Sequence, residues 1–166
     1  MPDENTRIAE IHGKSMAKFI WTDQLNVGIE VIDQQHRRIV EYINQLDDAR
    51  SNGYTKEEIG YLLNDLVDYT ISHFGFEESM QEEANYPFAK SHKKVHELFT
   101  LRIAEYQAKF ENGEDVSKAL NSLLVTWLFN HIKRDDADYV AAVKANLQRQ
   151  NEFIEKKKGL FARLFG

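Results

Sequence analysis

His73-Phe74-Gly75-Phe76-Glu77-Glu78-Ser79-Met80-Gln81-Glu82-Glu83-Ala84-Asn85-Tyr86-Pro87-Phe88-Ala89-Lys90-Ser91-His92-Lys93-Lys94-Val95-His96 holds four side chains able to bind metal, in two pairs four residues apart: His73/Glu77 and His92/His96. On an α-helix, a step of four residues turns about 400°, so both members of a pair lie within roughly 40° of one face, one turn apart. Between the pairs comes Ala84-Asn85-Tyr86-Pro87. Proline at a first helical position after a turn predicts two consecutive antiparallel helices, each aiming one pair at a shared interior. Facing helix pairs across a bundle core can hold metal.

Outward from that segment the helical pattern continues. Ile29, Ile32, His36, Ile39, Ile43 and Leu46 recur at alternating steps of three and four, ending at Ser51-Asn52-Gly53, as an amphipathic bundle helix requires. Thr55 and Glu58 form a candidate capping box for the next helix. Its seam runs Ile59, Leu63, Leu66, Thr70, His73, Glu77, Met80. The third helix is predicted from about Pro87 to Phe110, with Phe88, His92, His96, Phe99, Ile103, Tyr106 and Phe110 on one face, and stops at Asn112-Gly113. A fourth begins near Asp115, carries Val116, Leu120, Leu124, Trp127, Leu128 and His131 inward, and continues to about Lys156. Four such helices with short turns and no strand pattern predict an all-α, up-down-up-down four-helix bundle. We divide the chain into an N-terminal arm at 1–18, a bundle at 19–154 and a C-terminal helical tail at 155–166. The tail is basic and then apolar, Lys156-Lys157-Lys158-Gly159-Leu160-Phe161. A terminal helix packed on its own domain is the plainer expectation; a contact with a protein or a membrane surface is the other.

The bulk numbers narrow the chemistry. In 166 residues there is no cysteine, which excludes disulfides, thiolate zinc and cysteine-ligated iron–sulfur clusters. A net charge of −6 argues against a nucleic-acid binder. No apolar run reaches the ~18 residues of a membrane span and none of residues 1–18 resembles a secretory core, so a cytoplasmic location is expected.

Five of the six histidines, His36, His73, His92, His96 and His131, fall on inward faces, and every helix supplies at least one. A single inward histidine is ordinarily a hydrogen-bonded core residue. Five together are costly to bury unless each finds a partner, and a shared metal centre supplies all the partners at once. His12, in the polar arm, reads as a surface residue. Glu77 shares a face with His73, whereas Glu78 points about 100° away. From the last helix, spacing favours Asp135, four residues after His131, over Asp136, which an ideal helix turns about 140° away. Five imidazoles and two carboxylates exceed the needs of one ion and suit two, without naming the metal. The Glu-x-x-His pairs of ferritin-like di-iron proteins are absent.

The motifs also resemble those of a known family, the bacterial hemerythrins, over about residues 18–150. The match rests on Trp21 with Val27-Gly28 and Asp33-Gln34-Gln35-His36; on His73-Phe74-x-x-Glu77-Glu78-x-Met80; on Tyr86-Pro87 followed by His92 and His96; and on Trp127-Leu128-x-x-His131-Ile132 with Asp136 and Tyr139. The resemblance implies a non-haem di-iron centre that binds O₂ for storage, delivery or buffering, ferrous in the deoxy form and ferric in the oxy and met forms, with an oxo or hydroxo bridge. It implies that His92, His96 and His131 hold one iron, that His36 and His73 hold the other with an open position, and that Glu77 and Asp136 bridge. It thus selects Asp136 where spacing selects Asp135, which requires a local distortion or irregular turn after His131. Phe74, Phe99, Trp127, Leu128 and Ile132 are expected to line an apolar pocket for O₂ as well as the bundle core. An O₂- or redox-sensing module acting on a partner in trans, and an enzyme reducing peroxide or NO, are the alternatives; no further acid, base or substrate pocket calls for turnover.

Overall fold

The structure is a computed structural model that describes residues 18–165. Helix α1 spans Glu30–Ser51, α2 Lys56–Glu83, α3 Ala89–Glu111 and α4 Ser117–His131; a π-helical turn, Ile132–Asp136, then leads into α5, Ala137–Phe165. Among the described residues there is no strand. Connections of only a few residues leave consecutive helices no geometry but antiparallel, and α1 packs on α2, α2 on α3, α3 on α4 and α4 on α1, closing the expected bundle. The arm up to Ala17, with His12 and Met16, lies outside the described residues.

The apolar seams are buried as their spacing predicts. Ile39, Ile43 and Leu46 of α1, Leu63 and Leu66 of α2, Phe99 and Ile103 of α3, and Leu120, Leu124 and Leu128 of α4 form one core beyond the histidine level. A smaller cluster of Ile29, Ile32, Ala84, Tyr139 and Val143 closes the other end. The five imidazoles lie between two apolar masses.

Local chemistry sets the ends. At α2 the Thr55 hydroxyl accepts the Glu58 N–H while Glu58 accepts the Thr55 N–H, the predicted reciprocal cap. Before α1, Asp33 is buried and accepts from Val27 N at 2.7 Å and Gly28 N at 3.0 Å, with Gly28 at φ 81°. A side chain at that φ is strained, and a Cβ there would approach Lys144 Nζ to 2.7 Å. Upstream, Asn44 holds Phe19 through paired bonds of 2.8 and 3.0 Å, which lays Trp21 beside His36 with ring centroids 6.1 Å apart.

Three expectations need correction. Pro87 lies in the turn and α3 starts at Ala89, because Asn85 adopts φ 54° and carries the chain through an extra step. Phe88, expected inward, caps that helix and is 63% exposed. The terminal segment does not fold back on the bundle: α5 runs to Phe165 as one helix, and the residues with described burial from Leu147 to Phe161 are all exposed.

Candidate metal centre

Each helix delivers its imidazoles from a position the apolar repeat would otherwise give to Leu or Ile. His36, His73, His92, His96 and His131 are all at most 5% exposed, and Glu77 and Asp136 are 0% exposed. Seven polar groups in one apolar interior carry a large desolvation cost. Few are satisfied by the protein: His36 Nδ1 and Nε2, His73 Nε2, His92 Nε2, Glu77 Oε2 and both Asp136 oxygens have no hydrogen-bond partner. Nearly all buried polar atoms in native proteins are paired, so this convergence of lone pairs marks a place built for a cation.

The geometry divides the ligand atoms into two sets. Glu77 presents Oε1 to His36 Nε2 at 3.7 Å and His73 Nε2 at 3.6 Å, and Oε2 to His92 Nε2 at 3.7 Å and His96 Nε2 at 3.4 Å. Asp136 presents Oδ2 to His36 Nε2 at 3.2 Å, and Oδ1 to His92 Nε2 at 3.5 Å and His131 Nε2 at 3.0 Å. Each carboxylate thus turns one oxygen to each histidine set. Glu77 with His92, His96 and His131, and Glu77 with His36 and His73, are two groups compact enough to hold an ion. The donor set of imidazole and carboxylate suits iron, among other first-row metals.

Asp136 reaches the site because of the π turn. Its i→i+5 hydrogen bonding widens the helix by one residue and brings the fifth residue after His131 over the face that the fourth would take in α geometry. The chain therefore turns Asp136 inward, and not the Asp135 that spacing selects. Asp135 is displaced outward, where its Oδ2 accepts from His131 Nδ1 at 2.9 Å with its side chain 41% exposed.

Two further side chains that sequence spacing missed fix ring orientation in the same way, and a third holds a carboxylate. Gln35 Oε1 lies 2.8 Å from His73 Nδ1, and Glu78 Oε1 lies 3.0 Å from His96 Nδ1. Occupying Nδ1 leaves Nε2 turned inward. Tyr139, fully buried, donates its hydroxyl to Glu77 Oε1 at 2.6 Å. The neighbours of ligand positions in an Asp-Gln-Gln-His or Glu-Glu run were the available signal for Gln35 and Glu78. For Gln81, buried one turn beyond Glu77 with both amide atoms unpaired, the α2 seam at i+4 was the signal.

Electrostatics follow from burial and neighbours. Desolvation pushes the His73 imidazole down to about 4, against the pull of Glu77, so it stays neutral. Burial also opposes charge on His131, but Asp136 and Asp135 outweigh it and raise the ring to about 9. Burial works against the Glu77 carboxylate too, yet the surrounding histidines, His73 foremost, hold it well below the usual carboxylate range. Tyr139 is pushed far up by burial and by Glu77, and remains a donor.

Of the five apolar residues expected around the centre, Phe74, Phe99, Leu128 and Ile132 are buried and Trp127 is half-buried. Phe74 stacks on His96 with centroids 3.9 Å apart, and Trp127 stacks on His131 at 4.2 Å and on Phe99 at 3.6 Å. That aromatic wall stands mainly on the three-histidine side.

The family model for the hemerythrin HHE cation binding domain matches residues 27–143. A bacteriohemerythrin of Pseudomonas aeruginosa (strain LESB58) is 53% identical over 142 residues, covering 86% of this chain and 90% of that protein. One from Methylococcus capsulatus (strain Bath) is 32% identical over 132 residues, 78% of this chain and 100% of that protein. The crystal structure of wild-type hemerythrin superposes with a TM-score of 0.72 at 30% identity, covering 76% of this chain and 98% of that one.

Proposed function

The chain belongs to the hemerythrin family, and on that premise we propose that it binds O₂ reversibly at two iron ions, for storage, delivery or buffering in the cytoplasm. The observation that carries the proposal is the split of both buried carboxylates between the two histidine sets. On this reading His92, His96 and His131 would hold one ion and His36 and His73 the other, with Glu77 and Asp136 serving both. Bound there, two ferrous ions would supply two one-electron reductants, the chemistry that reversible O₂ capture needs.

The protein's own groups do the rest. His73 enters neutral because burial keeps it so, and His131 gives up a proton on loading. Tyr139 holds the Glu77 carboxylate by its Oε1 and leaves Oε2 turned to His92 and His96. Gln35, Glu78 and Asp135 lock three imidazoles against rotation. Phe74, Phe99 and Trp127, with Leu128 and Ile132 in the adjoining core, keep water away from the three-histidine side.

Anaerobic spectra test the proposal. The reduced, iron-loaded protein is expected to gain a visible band in air and to lose it when O₂ is removed. A protein that purifies colourless with zinc, or a band that never reverses, overturns it. Sustained consumption of peroxide with a reductant would replace binding by turnover. A sensing role draws support from one feature: the helix that begins next to Asp136 runs unbroken into the exposed terminal segment.

A further inference from the structure

We propose that the C-terminal part of α5 docks on an anionic membrane surface. The segment lies beyond the matched family span, which ends at residue 143. Its exposed residues include Phe153, Ile154 and Leu160, at 59%, 48% and 58%. At about 100° per residue, Leu160 lies roughly 20° from Phe153, and Ile154 roughly 100° to its other side. They make one apolar stripe along the helix, of a width that buries in a bilayer interface.

Charge selects the occupant. Residues 147–166 contain five Lys or Arg and two Glu, a net of +3, so the remaining 146 residues carry −9 of the total −6. Lys156, Lys157 and Lys158 sit together in one turn, while Glu152 and Glu155 face away from the apolar stripe by roughly 100° and 160° from Phe153. A surface of anionic headgroups attracts this helix and repels the bundle, which fixes orientation as well as contact. Lys157 decides against a second copy of the helix. It lies inside the apolar stripe, about 40° from Phe153, with its Nζ 4.7 Å from the Phe153 ring centroid. Across a helix–helix seam it would be buried against apolar side chains or its own counterpart. At a bilayer its stem lies along the apolar layer and its ammonium rises to the phosphates.

Co-sedimentation of the full-length, metal-loaded chain with phosphatidylcholine vesicles, and with equimolar phosphatidylcholine and phosphatidylglycerol, tests this. Binding is expected to the anionic vesicles alone and to fade as salt shortens the screening length. Each lysine near the surface contributes about fivefold, so Lys156→Gln, Lys157→Gln and Lys158→Gln together should weaken binding roughly a hundredfold. Phe153→Ser with Leu160→Ser should weaken it about tenfold or more. Both variants should keep wild-type metal content and spectrum, since neither site touches the centre. Equal binding to neutral and anionic vesicles, no binding to either, or undiminished binding of the glutamine variant overturns the proposal. A concentration-dependent dimer abolished by the serine variant, without vesicle binding, also overturns it and assigns the face to a second copy.

Discussion

Asp135→Asn and Asp136→Asn, made separately, distinguish two roles that adjacent aspartates take because of a single π turn. Asp136 is fully buried, lies 3.0 to 3.5 Å from three imidazole nitrogens, and has neither oxygen satisfied by the protein. The amide puts a neutral group where the proposed centre places a carboxylate between two ions, so the expected metal content falls from two per chain to one or fewer. Asp135 touches only His131 Nδ1, from a partly exposed position. Losing such a carboxylate–histidine contact typically weakens metal binding 10- to 100-fold, about 1.4–2.7 kcal/mol, so that variant should keep two ions and release them faster to a chelator. Elemental analysis gives the stoichiometry and chelator competition the rate. Deleting exposed Arg134 should close the turn to α spacing, place Asp136 four residues after His131, and preserve both ions. Full loading of Asp136→Asn with loss of metal in Asp135→Asn would refute the assignment.

Other expectations follow from neighbouring contacts. Tyr139→Phe removes the donor on Glu77 Oε1, a hydrogen bond to a charged group worth about 1.5–3 kcal/mol; an unchanged denaturant midpoint in the metal-free protein would count against that role. Phe74→Ala removes the ring stacked on His96 and should cost about 3–5 kcal/mol, with faster decay of the O₂-dependent band; Phe74→Leu should lose less of both. In metal-free protein, His73 titrates near 4 when folded and nearer 6.5 when unfolded, so the unfolded chain binds the extra proton and stability falls as pH drops through that window. His131, raised to about 9, contributes stability that is complete below about 6.5 and lost as pH rises through 9. Denaturation of chelator-treated protein across pH should therefore peak between the two windows; a flat profile would contradict both assignments.

The fold was readable because apolar repeats at three and four dominate all four rods, and because imidazoles at those positions are too costly to be accidental. His36, His73, His92, His96 and His131 needed only that periodicity, and Glu77 needed one turn of helix from His73. Asp136 was not accessible to periodicity, since counting residues presumes a constant 3.6 per turn and the chain spends five residues where an α-helix spends four; the family motif carried that information instead. Phe88 was misplaced because the seam was extended through Pro87 to a residue that Asn85 had already rotated outward. Gln35 and Glu78 escaped because their function lies in holding an imidazole by its far nitrogen, a relation between helices that no single-helix pattern expresses. At the end of α5 only the plainer expectation failed: the pattern suits burial against the bundle, yet the helix simply continues past it.

That continuity makes α5 a ruler with one end at Asp136. From Ala137 to Phe161 the rod is about 36 Å long at 1.5 Å per residue, with no loop to absorb movement. A tilt of about 5° at its first turn displaces the far end by roughly 3 Å, enough to read as a distance change between a label on exposed Glu155 and a second label on the bundle. A distance that changes on metal loading would carry the state of a buried centre to a position far outside it, and an unchanged one would show the rod indifferent to that centre.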